Sequence, residues 1–106
     1  SLPLLGSYQQ ITAATAITAL ETLAAHHIQL TTADIETGLA ATRWPGRFQI
    51  VGQHPLTILD GAHNPAAAQA LAEAVRVFLP ERRQPAVLII GASTDKNIEG
   101  MAAALS

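Results

Sequence analysis

The sequence predicts an α/β fold in which a helical hairpin is followed by a truncated parallel βαβ sheet. Three observations predict this class. Residues 8–43 are rich in Ala and Thr and place their apolar residues at helical spacing. The segment Trp44-Pro45-Gly46-Arg47 ends that spacing. Residues 48–106 then alternate short apolar runs with stretches of helical periodicity, which is the pattern typical of βαβ units.

Two helices are predicted before the break. Ser7 and Gln10 have the spacing of a capping box, which predicts that the first helix starts there. The apolar stripe of this helix consists of Ala13, Ile17, Leu20 and Ala24. Thr31 or Thr32 is predicted to cap a second, shorter helix that carries Ile35 and Leu39. Because the pair has a single apolar side, it is not expected to be stable alone.

The break is predicted to be a hinge or linker, and strands follow it. Pro45 cannot continue a helix, and Gly46 allows unusual backbone angles. A strand is then predicted at Phe48, Ile50 and Val51, followed by a turn over residues 52–55 and a second strand over residues 56–59.

A helix and a third strand complete the βαβ unit. Asn64 as N-cap and Pro65 at the first helical position predict the start of the helix. Its apolar stripe is Ala68, Leu71, Val75 and Phe78, and Pro80 stops it. A polar connector with Arg82 and Arg83 leads to residues 86–90, an unbroken apolar run expected of a strand buried on both faces of a parallel sheet.

A last helix is predicted to carry Ile98, Met101, Ala102 and Leu105. Together the elements predict an open, doubly wound, Rossmann-like sheet, which binds ligands beyond the carboxyl ends of its strands. The loops at that edge are residues 60–65 and 93–97. We therefore expect the functional side chains to lie in these two loops.

Composition excludes several classes of protein. The 106 residues are 49% hydrophobic and 13% charged, with a formal net charge of −2. A nucleic-acid-binding module would carry a basic stripe, and a disordered chain would combine low hydrophobicity with high charge. The chain has no cysteine, which excludes disulfides, thiolate metal sites and a thiol nucleophile. The length fits one small domain or pieces of two.

No apolar run approaches the roughly 18 residues that a transmembrane helix needs. The N-terminus has no basic region of the kind that begins a signal peptide. We therefore predict a cytoplasmic protein without a membrane or nucleic-acid partner. Because position 1 is Ser rather than Met, the chain is expected to be an excerpt of a longer protein.

The loop over residues 60–65 contains two candidate ligand-binding side chains. Asp60, at the end of a predicted strand, can accept hydrogen bonds from ribose hydroxyls or can cap its own loop through backbone N–H groups. His63 lies just before a helix N-terminus, which favours a phosphate neighbour, but a structural loop histidine fits equally well. An Asp and a His without a third ligand do not make a metal site.

Arg47 and Lys96 are candidate anion-binding residues. An arginine after a Pro-Gly hinge can contact a phosphate when domains close, or can be an ordinary exposed arginine. Lys96 is the only lysine in the chain. It suits an anionic substrate group at the mouth of the sheet, or a surface ion pair with Asp95. The sequence lacks the phosphate-loop, dinucleotide-binding and nucleophile-elbow motifs, so no catalytic residue is predicted.

Four segments in register resemble folylpolyglutamate synthase/dihydrofolate synthase, a family of the Mur ligase superfamily. They are Leu4-Leu5-Gly6-Ser7-Tyr8-Gln9, Trp44-Pro45-Gly46-Arg47, Leu59-Asp60-Gly61-Ala62-His63-Asn64-Pro65 and Asp95-Lys96-Asn97. The resemblance implies an ATP-dependent ligase that adds glutamate to folate or dihydropteroate through an acyl phosphate. It also implies that residues 1–43 are the terminal helices of the central ATPase domain. Residues 44–106 would then be the linker and first part of the C-terminal ligase domain.

Carried over residue by residue, the resemblance implies that Arg47 contacts the ATP phosphates and that Asp60 holds the nucleotide with His63 nearby. Gln9 matches a family glutamine near the nucleotide. Lys96 resembles the lysine that meets the carboxylate of the incoming amino acid. Magnesium would be bound by parts of the parent enzyme outside this chain, so the chain alone is predicted to be inactive.

Two positions depart from the family pattern. Thr12 replaces an asparagine near adenine, and Asn97 replaces the last carboxylate of the usual D-K-D. Two alternatives stay open: a free-standing α/β nucleotide-binding or signalling module, and a Mur ligase acting on a peptidoglycan precursor. Unpaired edges of a truncated parallel sheet also predict self-association.

Overall fold

The computed structural model describes residues 2–24, 26, 29–80 and 86–106. The elements in chain order are α1 (Ser7–Ala24), α2 (Thr32–Ala41), β1 (Gln49–Gln53), β2 (Leu56–Leu59), α3 (Pro65–Phe78) and α4 (Ile98–Leu105). The mixture of helices and strands confirms the predicted α/β class. The predicted connector at Arg82 and Arg83 lies outside the described residues. Among the described residues, no helix combines the length and the hydrophobicity that spanning a membrane requires.

Helix α1 begins differently from the prediction. Ser7 is already helical, so it does not cap the helix. Gly6 precedes it with a φ of 106°, in the region that favours glycine, and its carbonyl accepts the Gln9 N–H at 3.0 Å. Further along the helix, four threonine hydroxyls each donate to the carbonyl four residues earlier: Thr12, Thr15, Thr18 and Thr22. These bonds satisfy the hydroxyls within the helix itself.

Helix α2 is capped by Thr31, one of the two predicted caps. The Thr31 hydroxyl oxygen accepts the Asp34 N–H at 3.2 Å, and the Asp34 carboxylate accepts the Thr31 N–H at 2.9 Å. This reciprocal pair is a capping box completed by aspartate. The predicted stripe residues Ile35 and Leu39 are half-buried and face α1 across a cleft of about 260 Å³. The hairpin therefore has the predicted apolar side without close packing along it.

Strands β1 and β2 form an antiparallel hairpin, with Gln49 opposite Leu59 and Ile50 opposite Ile58. The pairing is irregular between Ile50 and Gly52. Phe48, predicted to begin the first strand, lies outside it because its φ is 44°, which is incompatible with extended backbone.

The predicted third strand differs most from expectation. Residues 86–90 join no strand ladder among the described residues, where the one sheet is the β1–β2 hairpin. Val87 and Ile89 are 91% and 90% exposed, so the run is not buried on both faces. An apolar strand is buried only when neighbouring strands and helices cover it, and the described residues supply none at this position.

Helices α3 and α4 pack against each other and form the core. Ala68 and Ala74 on α3 and Met101 on α4 are buried, and the two helices are in contact. The ring of Phe48 is also buried and lies 5.8 Å from the ring of Phe78. The core thus joins the end of the linker to the two helices that follow the hairpin.

Candidate functional site

Asp60 follows β2 directly and ties three segments together. One carboxylate oxygen, Oδ2, accepts the Phe48 N–H at 2.7 Å and the Tyr8 hydroxyl at 3.4 Å. The other, Oδ1, accepts the Ala62 N–H at 2.8 Å. A carboxylate offers about four acceptor positions, so these three bonds leave about one for a ligand. Both sequence interpretations of Asp60 therefore remain compatible: it caps its loop and keeps acceptor capacity.

The backbone at Phe48 is strained. A φ of 44° is a rare conformation for a bulky residue and costs of order 1–3 kcal/mol. The hydrogen bond to Asp60 and the burial of the ring, which is 3% exposed, hold the residue in place. Strained backbone of this kind concentrates at functional sites. Here the strain turns the chain sharply between the linker and β1.

Arg47 lies in the same turn, beside the loop after Asp60. Its guanidinium carbon is 5.9 Å from the centre of the Trp44 ring. A Cβ placed on Gly61 would lie 3.5 Å from Arg47 Nη1, so the guanidinium rests against the Gly61 backbone. The Gly61 N–H also donates to the Gly46 carbonyl at 2.7 Å. The linker and the loop over residues 60–65 are therefore joined next to a half-buried cation.

Tyr8 and Gln9 bring the start of α1 to this place. Gln9 is 5% exposed, the lowest exposure of any polar side chain among the described residues. Burial raises the pKa of Tyr8, and the nearby Asp60 carboxylate raises it further, against the opposing effect of Arg47. The Tyr8 hydroxyl therefore stays protonated at neutral pH and can donate to Asp60.

His63 stands just before α3. A carbonyl can only accept, so the 3.0 Å contact between His63 Nδ1 and the Gly61 carbonyl places the proton on Nδ1. This leaves Nε2 of the exposed ring free to contact a ligand. Asn64 caps α3, as predicted, by accepting the Ala67 N–H at 2.8 Å, and Pro65 follows at the first helical position.

Lys96 lies in the second loop, over residues 93–97. Its ammonium group pairs with the Asp95 carboxylate at 2.7 Å, and both side chains are solvent-accessible. The Asp95 carboxylate also accepts the Ser93 hydroxyl, and hydrogen bonds from Lys96 and Ser93 lower the Asp95 pKa. Asn97 caps α4 by accepting the Gly100 N–H. The loop is thus held by its own residues.

The structure therefore gathers Gln9, Arg47 and Asp60 into one region, with His63 at its edge. We call Tyr8, Gln9, Arg47, Phe48 and Asp60 the Asp60 cluster. It presents one anion, one cation and a phenol hydroxyl, a combination suited to a ligand that carries both hydroxyls and phosphates. Within the described residues, no three His, Asp or Glu side chains converge to hold a metal ion.

Two members of the Asp60 cluster were missed from the sequence. Phe48 looked like an ordinary strand residue, because a positive φ at a non-glycine residue has no sequence signal. Tyr8 lies in the segment Leu4–Gln9 that carries the family resemblance, but the resemblance implies a role only for Gln9. The sequence signal for Tyr8 is its position directly after Gly6-Ser7, where the chain turns into α1.

The family match and the similar proteins point to the same family. Residues 46–106 match the family described as Mur ligase, glutamate ligase domain. The chain is 40% identical, over 104 residues, to a probable bifunctional folylpolyglutamate synthase/dihydropteroate synthase of Halobacterium salinarum, covering 98% of this chain and 12% of that protein. It is 37% identical to the folylpolyglutamate synthase of Lacticaseibacillus casei, covering 95% of this chain and 23% of the relative.

A solved folylpolyglutamate synthase in complex with AMPPCP and folate has a similar structure. The TM-score is 0.85 at 37% sequence identity, over 99% of this chain and 26% of that chain. The similarity extends through both helices that precede the family match as well as through the matched residues. The chain spans less than a quarter of the length of the two curated relatives described above.

Proposed function

The chain belongs to the Mur ligase family, and its relatives include folylpolyglutamate and dihydrofolate synthases. We propose that it is part of an ATP-dependent ligase that adds glutamate to a folate. Its contribution is the C-terminal side of the cleft that holds ATP and glutamate. The observation that carries the proposal is the Asp60 cluster, in which the Asp60 carboxylate joins α1, the linker and the loop over residues 60–65. Family membership argues against a signalling module, and the relatives favour folate over a peptidoglycan precursor.

The Asp60 cluster fits a nucleoside phosphate. Arg47 is a half-buried guanidinium, which binds phosphate oxygens through two parallel N–H groups. Asp60 retains about one acceptor position for a ribose hydroxyl. His63 lies beside the N-terminus of α3, a position that favours an anion, and its Nε2 can accept a hydrogen bond from a ligand hydroxyl. Gln9, next to Tyr8 in α1, is buried. The complex with AMPPCP in the similar solved structure supports a nucleotide ligand.

ATP, when bound, supplies the phosphoryl group that activates the folate carboxylate for attack by the glutamate amine. This chain's residues orient the nucleotide: Arg47 at the phosphates and Asp60 at the ribose. Magnesium would be held by residues outside this chain, as the resemblance implies. The chain alone is therefore expected not to catalyse ligation.

We assign residues 1–43 to the end of the ATPase domain and residues 44–106 to the linker and first part of the ligase domain. The start of the family match at residue 46 supports this boundary, as does the end of α2 at Ala41. Lys96 would meet the glutamate carboxylate. It would have to exchange its ion pair with Asp95 for that ligand, a small cost because exposed pairs contribute little.

The test is Arg47→Ala in the full-length ligase that contains this sequence, assayed for ATP-dependent addition of glutamate to a folate. Loss of a charge-assisted contact that strengthens in the transition state is expected to lower kcat/KM for ATP by about 100-fold. The matched control is Arg43→Ala. Arg43 is four residues away, exposed, and donates to the carbonyls of Ala40 and Thr42. A wild-type enzyme without this activity, or equal effects of the two substitutions, would contradict the proposal.

A further inference from the structure

Tyr8 forms a hydrogen bond between the helical hairpin and the segment beginning at Gly46. Its hydroxyl donates to Asp60 at 3.4 Å across 52 positions of sequence. Among the residues that the structure describes, this is the one hydrogen bond that joins the helical hairpin to the segment beginning at Gly46. The carboxylate proposed to orient the nucleotide is therefore held from both sides of the linker.

The position of the Tyr8 ring depends on the absence of a side chain at Gly6. A Cβ placed on Gly6 would lie 2.6 Å from Cε1 of the Tyr8 ring, a distance shorter than any real contact. The ring therefore packs directly over the Gly6 backbone, whose φ of 106° turns the chain into α1. Local backbone geometry, rather than chance rotation of an exposed side chain, directs the hydroxyl toward Asp60.

The second group on Oδ2 is the N–H of the strained residue Phe48. Two donors on one oxygen fix the rotation of the carboxylate. The Ala62 N–H occupies the other oxygen. With three donors from three segments, the remaining acceptor position has a single direction, which favours one orientation of a ligand hydroxyl.

We propose that Tyr8 is a positioning residue for the nucleotide: its hydroxyl sets the orientation of Asp60 and links that orientation to the placement of α1. This inference rests on the proposed function, since it concerns the same nucleotide site. Tyr8 does not itself touch the reacting atoms. Its effect is exerted on the binding of ATP through Asp60, and it joins the two segments whose approach forms the cleft.

The experiment is Tyr8→Phe in the full-length ligase, which removes the hydroxyl and keeps the ring over Gly6. Loss of one long hydrogen bond to a charged group is expected to raise the KM for ATP by about fivefold, with kcat changed by less than about twofold. The matched control is Thr15→Val, which removes a hydroxyl of the same helix that donates only to the Ile11 carbonyl. This control is expected to leave the KM for ATP unchanged.

A double-substitution cycle separates positioning from general stability. If Tyr8 acts through Asp60, Tyr8→Phe in the Asp60→Asn background is expected to change the KM for ATP by less than about twofold. A full fivefold effect in both backgrounds, or no effect of Tyr8→Phe in an otherwise active enzyme, would overturn the inference and leave the proposed function intact. A wild-type protein that lacks ATP-dependent ligation would instead refute the proposed function.

Discussion

The helical hairpin and the segment that begins at Gly46 are stabilised by different kinds of interaction. Apart from the bond from Tyr8 to Asp60, the hydrogen bonds of α1 and α2 are local: threonine hydroxyls bond the preceding turn, and a capping box closes the start of α2. The two helices leave a cleft of about 260 Å³ between them. After Gly46, by contrast, Phe48 and the α3–α4 pair bury side chains, and Asp60 binds segments distant in sequence.

This difference indicates where each part obtains its stability. Local hydrogen bonds and helix propensity stabilise a helix only marginally in water, so α1 and α2 depend on whatever they pack against. Burial of apolar side chains contributes more and acts between distant residues. The Asp60 cluster lies where the two kinds of structure meet. Substitutions in the two regions should therefore differ in both size and sign.

The largest difference is expected for Phe48→Ala compared with Leu23→Ala. Phe48 is buried against Phe78, so truncation should lower the free energy of unfolding by about 3–5 kcal/mol. Leu23, on α1, is 45% exposed, so Leu23→Ala should lower the free energy of unfolding by less than about 1 kcal/mol. Urea denaturation of the purified protein measures both. Equal losses would show that the hairpin is packed as tightly as the segment beginning at Gly46.

The sequence was sufficient for elements whose signals are local. Thr31 and Asn64 were identified as caps, and Leu56–Leu59 and the α3 stripe were identified from their periods, because these features depend on neighbouring residues. Residues 86–90 were expected to be a buried strand. Whether an apolar run is buried depends on what covers it, which periodicity within the run does not specify.

For the candidate site, the sequence predicts most of the residues but not the contacts that hold them together. Gln9, Arg47, Asp60 and His63 were selected from motifs, and the structure brings the first three together. Two of the three contacts that hold Asp60 come from Tyr8 and Phe48, which belong to other segments. A contact across 52 positions and a strained φ of 44° are consequences of tertiary packing, so no local pattern indicates them.

A smaller effect, with opposite signs in the two regions, is expected at Gly46 and Gly38. Gly46 has a φ of 74° in the linker, where an alanine side chain is strained although nothing lies within 4 Å of it. Gly46→Ala should therefore lower the free energy of unfolding by about 1–2 kcal/mol. Gly38 lies within α2, and nothing lies within 4 Å of the place where a Cβ would stand. Gly38→Ala should therefore raise the free energy of unfolding by about 0.5–1 kcal/mol. Thermal denaturation of both variants tests the signs, and a stabilising Gly46→Ala would contradict the strained turn.

The smallest expected effect concerns pH and the hairpin alone. Hydrogen bonds from the Thr31 hydroxyl and then the Thr31 N–H lower the pKa of Asp34 from its ordinary value of 3.8. Since the folded-state pKa is the lower one, the stabilisation is complete above that ordinary value. It is lost as the pH falls through the lowered pKa of the folded state. Asp34→Asn should therefore reduce the loss of helical circular dichroism between about pH 5 and pH 2.

Glu36→Gln, an exposed substitution on the same helix, is the matched control and should keep the wild-type profile. If both variants follow that profile, the capping box does not contribute to the acid sensitivity of α2, and its helical signal must then depend on packing against α1.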